Sequence, residues 1–382
     1  MDHKKNYPCK YSAMKHAQQS AVPQTSSQVS DSTTSEHKIK RRDFLVSAAG
    51  AVTAVALGGC GGPKLNVDLQ EATPAQLARK KQGRSTVGIL PCPSYEEDIF
   101  KAVKPFLKSL DLPDLTNKTV VIKPNMVEFH PISPITTNPA AILAAVELAN
   151  YLGAREIIIG EGPGHMRDTE FLLEASGIGA MCKKHKLRYV DLNLDDLEKV
   201  ENVDGFTKMK EIYLPKTIME ADAVISVPKM KTHHWVGMTA SMKNLFGTVP
   251  GRKYGWPKNI LHINGIPHSI LDLVHMIKPQ IGFVDGIIAM EGDGPIMGTA
   301  KPMGFMVLGS DLAAVDATCA RTMEIPIERL LYLRMAGKVI GNTDESQIDI
   351  KGEQIASVKK EFEMPITYQD KKLMVQANKG AG

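Results

Sequence analysis

Ala223-Val-Ile-Ser-Val-Pro-Lys-Met-Lys-Thr-His-His-Trp235 is the stretch whose reading decides the fold. Val224, Ile225 and Val227 form a short apolar run, as in a strand buried on both faces, and Pro228 ends it by removing a backbone donor. Beyond the proline the chain turns polar. Lys229 and Lys231 lie two residues apart, so an extended backbone projects both ammonium groups to one side, with Thr232, His233 and His234 next in line. Like charges that close repel, and neither lysine has a carboxylate within four residues, so the pair asks for an anion supplied from elsewhere. A solvated basic turn is the plainer reading of two lysines taken alone. Lys243 and Asn244 weigh against it, because they follow on residues 238–246, which read as a helix capped by Gly247.

Outward from this strand, short apolar runs alternate with helical patterns. Strands are expected at 86–90, 119–123, 156–160, 280–284 and 304–308, with extended runs at 188–192 and 211–214. Helices are expected at 95–110, 138–152, 169–175, 177–185, 266–277, 312–323 and 327–336. The alternation predicts an α/β fold, a mostly parallel sheet with helices on both faces. Ligands of such sheets bind beyond the carboxyl ends of the strands. Lys123 and Asn125, Glu161 within Gly160-Glu-Gly-Pro-Gly164, the Lys229 and Lys231 pair, and Asp285 all fall at or just past such ends. Val120-Val-Ile-Lys-Pro-Asn125 and the central strand share an apolar run ending in lysine beside proline.

Asp285-Gly-Ile-Ile-Ala-Met-Glu-Gly-Asp-Gly-Pro295 adds Glu291 and Asp293, and its Gly292 and Gly294 would let backbone amides approach an anion. Asp311 reads as a helix cap, while Asp316 lies inside the same helix. Thr248-Val-Pro-Gly-Arg-Lys-Tyr-Gly-Trp-Pro-Lys258 has too much proline and glycine for regular structure, yet carries Tyr254 and Trp256. It reads either as a lid that brings His262 toward a substrate or as a fixed loop with packed aromatics.

The 382 residues divide into a disordered leader (1–37), a signal peptide (38–60), a linker (61–84), the α/β domain (85–340) and a C-terminal extension (341–382). Arg41-Arg-Asp-Phe-Leu45 resembles a twin-arginine export signal, and the apolar run 44–57, about 14 residues, suits a signal h-region better than a bilayer span. Leu57-Gly-Gly-Cys60 resembles a lipobox with Cys60 as the lipidated residue. Expected partners are therefore the twin-arginine export machinery and a membrane reached through a lipid anchor, with the chain periplasmic or at the cell surface. A net charge of +4 and 5% aromatic residues give no footing for nucleic acid. The remaining cysteines, Cys9, Cys92, Cys182 and Cys319, form no C-x-x-C, so no local iron–sulfur cluster motif exists.

Lys123-Pro-Asn125, Thr137-Asn-Pro139, Gly160-Glu-Gly-Pro-Gly164, Pro228-Lys-Met-Lys-Thr-His233, Met242-Lys-Asn-Leu-Phe-Gly247, Glu291-Gly-Asp-Gly-Pro295 and Gly309-Ser-Asp311 together resemble the domain of unknown function 362 family over about residues 86–340. The resemblance implies no established activity. Many members carry an added ferredoxin-type cysteine cluster, from which this chain departs.

Two functions follow. In the first, an exported enzyme acts on a small carboxylate or phosphate: Lys123, Asn125, Lys229, Lys231, Lys243 and Asn244 hold it, a depressed lysine, His233 or His262 moves a proton, and Glu161 or Asp285 orients that group. A divalent metal on His233, Asp285, Glu291 and Asp293 is a variant of that site. In the second, a lipoprotein captures an anionic ligand or cofactor without catalysis.

Overall fold

The computed structural model describes residues 72–164 and 168–368. The twin-arginine stretch, Cys60 and the last residues of the C-terminal extension lie outside them.

At the centre stands β7 (Ala223–Val227), every residue of it buried. β2 (Thr119–Pro124) lies on one side, followed by β3 (Glu156–Glu161) and β4 (Arg188–Asp191); on the other side lie β10 (Ile281–Glu291), β11 (Thr299–Gly309), β1 (Ser85–Pro91) and β12 (Ile348–Gly352). β4, β3, β2, β7 and β10 run parallel, β11 is antiparallel to both β10 and β1, and β12 is parallel to β1. Along this path every strand but β11 points the same way, so most carboxyl ends share one rim. A separate antiparallel pair, β5 (Leu197–Glu201) and β6 (Glu211–Pro215), stands apart.

Strands buried on both faces read as continuous apolar runs because each face meets its own layer. Val121 and Val224 belong to one apolar cluster, while Val120, Ile122, Ala223 and Ile225 belong to the other. α1 (Pro139–Tyr151) packs within the second cluster. α2 (Ile266–Ile277), α3 (Leu312–Thr322) and α4 (Leu331–Val339) pack within the first. β12, from the C-terminal extension, completes one edge of the sheet.

The structure departs from the expected elements in four places, one being the helix expected at 327–336, which is a 3-10 turn Ile327–Arg329 followed by α4. Residues 238–246 are not a helix: β8 (Lys229–His233) and β9 (Gly237–Thr239) form a hairpin, then a 3-10 turn runs Lys243–Thr248. Met238, Ala240 and Met242 recur every second residue, so their apolar spacing fits the extended chain, and Gly237 at φ +84° supplies the turn. The helix expected at 95–110 is a short one, Ile99–Val103, continued as a 3-10 turn Lys104–Ser109, because Pro105 has no N–H for the α-helical ladder. β10 and β11 outrun their expected lengths since they pair with each other as a ribbon beyond the body of the sheet, past a bulge between Gly286 and Ile288.

Candidate functional site

Pro228 breaks the register between β7 and β8, and this break builds the site. β10 pairs first with β7 and then with β8, Asp285 opposite Lys229, and the Asp285 N–H donates to Pro228 O at 2.8 Å. The lysines of β8 are thus held beneath the loops that leave β2 and β3. Asn244 ties the 3-10 turn to both parallel strands: its Nδ2 donates to Lys123 O (2.9 Å) and Ser226 Oγ (3.0 Å). Asp316 fixes the start of that turn by accepting from the Ser241 and Met242 N–H groups (2.7 and 3.1 Å) and from Ser241 Oγ. Burial pushes the Asp316 carboxyl up to about 7 against those bonds. Asp311 caps α3, accepting from Ala313 N and Ala314 N.

A cavity of about 240 Å³ opens at this rim, and Asn125, Glu161, Lys231, His233, Lys243, Asn244 and His262 all line it. Lys258, Trp235, Phe246, Met126 and Ile296 line it too. The cavity lining therefore combines cationic groups with apolar and aromatic ones.

An ammonium group has three N–H donors, and counting their acceptors separates the lysines. Lys123 donates to Glu161 Oε2 (2.6 Å), Pro124 O (2.8 Å) and Asn244 Oδ1 (3.3 Å), using all three. Lys258 also uses three, on Gly162 O (3.0 Å), Asn193 Oδ1 (2.9 Å) and Val249 O. Lys229 bonds Asp285 Oδ2 (2.5 Å) and Tyr95 Oη (2.6 Å). Lys231 has two backbone acceptors, Ile135 O (2.9 Å) and Pro295 O (3.3 Å), and no carboxylate. Lys243 has none among the described residues; its Nζ sits 3.7 Å from the centroid of the Phe246 ring.

Burial is the largest influence on each of these groups. It brings Lys243 down to about 7, helped by Lys123 and Lys258. It brings Lys258 to about 7 as well, against Glu161 and with Lys123. Lys231 and His233 are held well below their ordinary values by burial, then by Lys243. Lys123 and Lys229 are lowered too, since burial outweighs their paired carboxylates.

The two histidines carry opposite tautomers. The Trp235 N–H donates to His233 Nδ1 (3.1 Å), so a neutral His233 presents an Nε2–H donor. His262 Nδ1 lies 3.2 Å from Lys258 O, which can only accept, so His262 keeps a free lone pair on Nε2. The Asn125 Oδ1 is buried without a partner.

The remaining expected residues lie elsewhere. Lys229 and Asp285 form an ion pair closed by Tyr95, outside the cavity lining, so the anion expected for Lys229 is a residue of the chain itself, from β10. Lys123 lies beneath the lining in its pair with Glu161. Gly292 and Gly294 present no free amides: their N–H groups bond Glu363 O and Gly292 O, and their carbonyls accept from Thr232 Oγ1 and His234 N. Glu291 pairs with Lys301 (2.8 Å) and Asp293 accepts the Ile366 N–H (3.0 Å). Glu291, Asp293 and Asp285, three of the four ligands expected for a metal, are thereby engaged within the chain, and among the described residues no three His, Cys, Asp or Glu side chains gather as a metal site.

The 248–258 segment is more regular than its composition suggests. Short helices Gly251–Tyr254 and Asn259–Ile263 flank its turn, the Tyr254 hydroxyl accepts from Tyr213 N (2.7 Å), and Trp256 packs on Gly251. Lys258, which it delivers to the cavity, carries no sequence signal of its own, nor does Trp235 as a wall residue. Tyr95, which closes the Lys229 pair, comes from a distant loop.

Comparison with known proteins adds three findings. The family model described as "Domain of unknown function (DUF362)" matches residues 120–321. A thylakoid-associated protein, sll1697, of Synechocystis sp. (strain ATCC 27184 / PCC 6803 / Kazusa) is 27% identical over 200 residues, 52% of this chain and 60% of that protein. The chain thus spans about 60% of the length of that curated relative. The lactate racemase apoprotein of Thermoanaerobacterium thermosaccharolyticum superposes with a TM-score of 0.37 and 16% identity, over 66% of this chain and 59% of that one.

Proposed function

Taking as premise that the chain belongs to the domain of unknown function 362 family, we propose that it is an enzyme acting on a small carboxylate or phosphate compound by proton transfer. The observation that carries this reading is the uneven satisfaction of the lysines. Lys258 and Lys123 have every donor occupied, so neither has a hydrogen left to offer a ligand. Lys231 keeps one N–H free for an anionic oxygen, in a setting where no carboxylate of the protein bonds it. His233 supplies a neutral N–H donor and His262 a lone pair, the complementary groups that proton transfer needs. Trp235, Phe246 and Met126 would hold the carbon skeleton and exclude water.

The test is binding followed by exchange. Titration calorimetry against small hydroxy- and oxo-carboxylates, phosphate monoesters and inorganic phosphate reads the anion site. Proton NMR in heavy water reads loss of carbon-bound hydrogen from whichever compound binds. Exchange abolished by His262→Gln supports the enzyme; tight binding without exchange of any member makes the chain a binding protein; no binding at all removes the anion site. We also propose, from Arg41, Arg42 and Cys60, that the chain is exported and lipid-anchored.

A further inference from the structure

We propose that Lys243 is a nucleophile that forms an imine with the carbonyl carbon of a small oxo acid whose carboxylate is held by Lys231. This deepens the anion-site reading and rests on it. Among the lysines that meet at or beneath the cavity, Lys243 alone has no oxygen acceptor among the described residues, and the aromatic face of Phe246 lies against its Nζ. An ammonium in that position is poorly solvated, whereas a neutral amine needs no acceptor for its charge. Lys123 and Lys258 spend every N–H on three acceptors each and so have none to spare for chemistry, and whatever charge they carry disfavours a further one on Lys243. Burial and these neighbours leave it near half-neutral at physiological pH, with its titration at about 7. Lys243 also lines the cavity and remains partly accessible, so a substrate can reach it.

The surrounding groups suit the steps. Lys231 offers one unused N–H to the carboxylate, and a carbonyl beside that carboxylate then faces the Lys243 side of the same cavity. The amine lone pair forms the nitrogen–carbon bond as the carbonyl π pair moves to oxygen, which takes a proton while the nitrogen gives one up. His262 Nε2 takes the nitrogen's proton and returns it to that oxygen, which regenerates its lone pair, while the neutral His233 Nε2–H only hydrogen-bonds the oxygen. A second protonation of the hydroxyl releases water and leaves the iminium; overall one proton is taken up and one water departs. The unpaired Asn125 Oδ1 can accept from the carbinolamine hydroxyl. The iminium then draws electrons from the adjacent carbon, whose proton His262 can remove to give an enamine.

The experiment is borohydride trapping on the full chain with pyruvate as probe, the hydride reducing the carbon–nitrogen double bond to a stable secondary amine. Peptide mass spectrometry should find the reduced pyruvyl adduct on Lys243. Trapping yield should rise as pH passes through about 7, vanish in Lys243→Met, and fall about tenfold in Lys231→Met, which loses one charge-assisted hydrogen bond. Calorimetry with pyruvate runs in parallel. Binding with no adduct on Lys243, or with adducts spread evenly over exposed lysines, overturns the imine and leaves the anion site standing. Failure of pyruvate to bind or to label overturns the imine, and the anion site then stands or falls with the wider calorimetric series.

Discussion

Replacing Lys243 by methionine should stabilise the protein, and by more at low pH than at high. An unfolded lysine titrates near its ordinary 10.5, and Lys243 in the folded chain near 7. Between those values the unfolded chain holds the extra proton, so this residue's contribution makes stability rise with pH across that window. Below pH 7 the whole cost is present, because both states are charged and only the folded one is desolvated. At about 1.36 kcal/mol per pH unit, the cost at pH 6 comes to about 5 kcal/mol. Lys243 is only partly buried, so water in the cavity screens it and about half of that is realistic. Methionine also gives up the cation–π contact with Phe246, about 0.5–1 kcal/mol.

The net expectation is a gain of about 1–2 kcal/mol at pH 6, or about 4 °C in Tm for a domain of this size. At pH 10 most of the cost has already been relieved in the wild type, and the gain should shrink to within about 1 °C of zero. Thermal unfolding of both proteins at the two pH values, followed by circular dichroism, measures the difference directly. A Lys243→Met protein less stable than wild type at pH 6, or equally stabilised at both pH values, would refute the reasoning. Either result would mean that Lys243 has an acceptor in solution and is not a desolvated amine.

Lys229→Met should behave in the opposite sense to Lys243→Met, losing about 3–5 kcal/mol in chemical denaturation, because it leaves Asp285 buried and uncompensated. Unchanged stability there would show that the pair is not formed. Gly247→Ala would drive its Cβ onto Glu161 Oε1 and Lys123 Nζ, and should cost about 2–4 kcal/mol with loss of pyruvate binding by calorimetry. Limited trypsin digestion at Arg252 and Lys253 should be slow with or without ligand, as Tyr254 bonds β6 and Trp256 packs on Gly251; rapid cleavage relieved by ligand would establish a lid. Arg41→Lys with Arg42→Lys should leave unprocessed precursor in the cytoplasm on cell fractionation, and normal processing would remove the twin-arginine reading.

The sheet was legible because its strands are buried on both faces, so β2, β3 and β7 each appear as an apolar run with a sharp end. The expected bounds of α2 coincide with those of the helix, since apolar residues recur at helical spacing between Gly265 and Lys278. The β8–β9 hairpin was illegible for a related reason. Residues 229–233 and 236–242 are buried whatever their polarity, so neither alternation nor helical periodicity marks them, and Met238, Ala240 and Met242 satisfy two patterns at once. Only the pairing of Lys231 with Thr239 resolves the choice, and a single sequence does not display it.

For the site, the sequence could locate lysines at strand ends but could not rank them, and the reason is where the acceptors come from. Asp285 reaches Lys229 across 56 residues and Glu161 reaches Lys123 across 38, so a search for carboxylates within helical or strand reach misses both pairs. Lys258 and Lys231 are held chiefly by main-chain carbonyls, of Val249, Gly162, Ile135 and Pro295, an acceptor that every residue type carries and that therefore leaves no mark in the sequence. A lysine's chemistry in this fold is therefore set by how many oxygens the folded backbone happens to aim at its nitrogen. Three oxygens occupy every hydrogen of the group, and two leave one hydrogen for a ligand. None, with an aromatic ring beside it, leaves an amine whose charge the protein does little to support, which is why Lys243 rather than the Lys229 and Lys231 pair stands out as the reactive group.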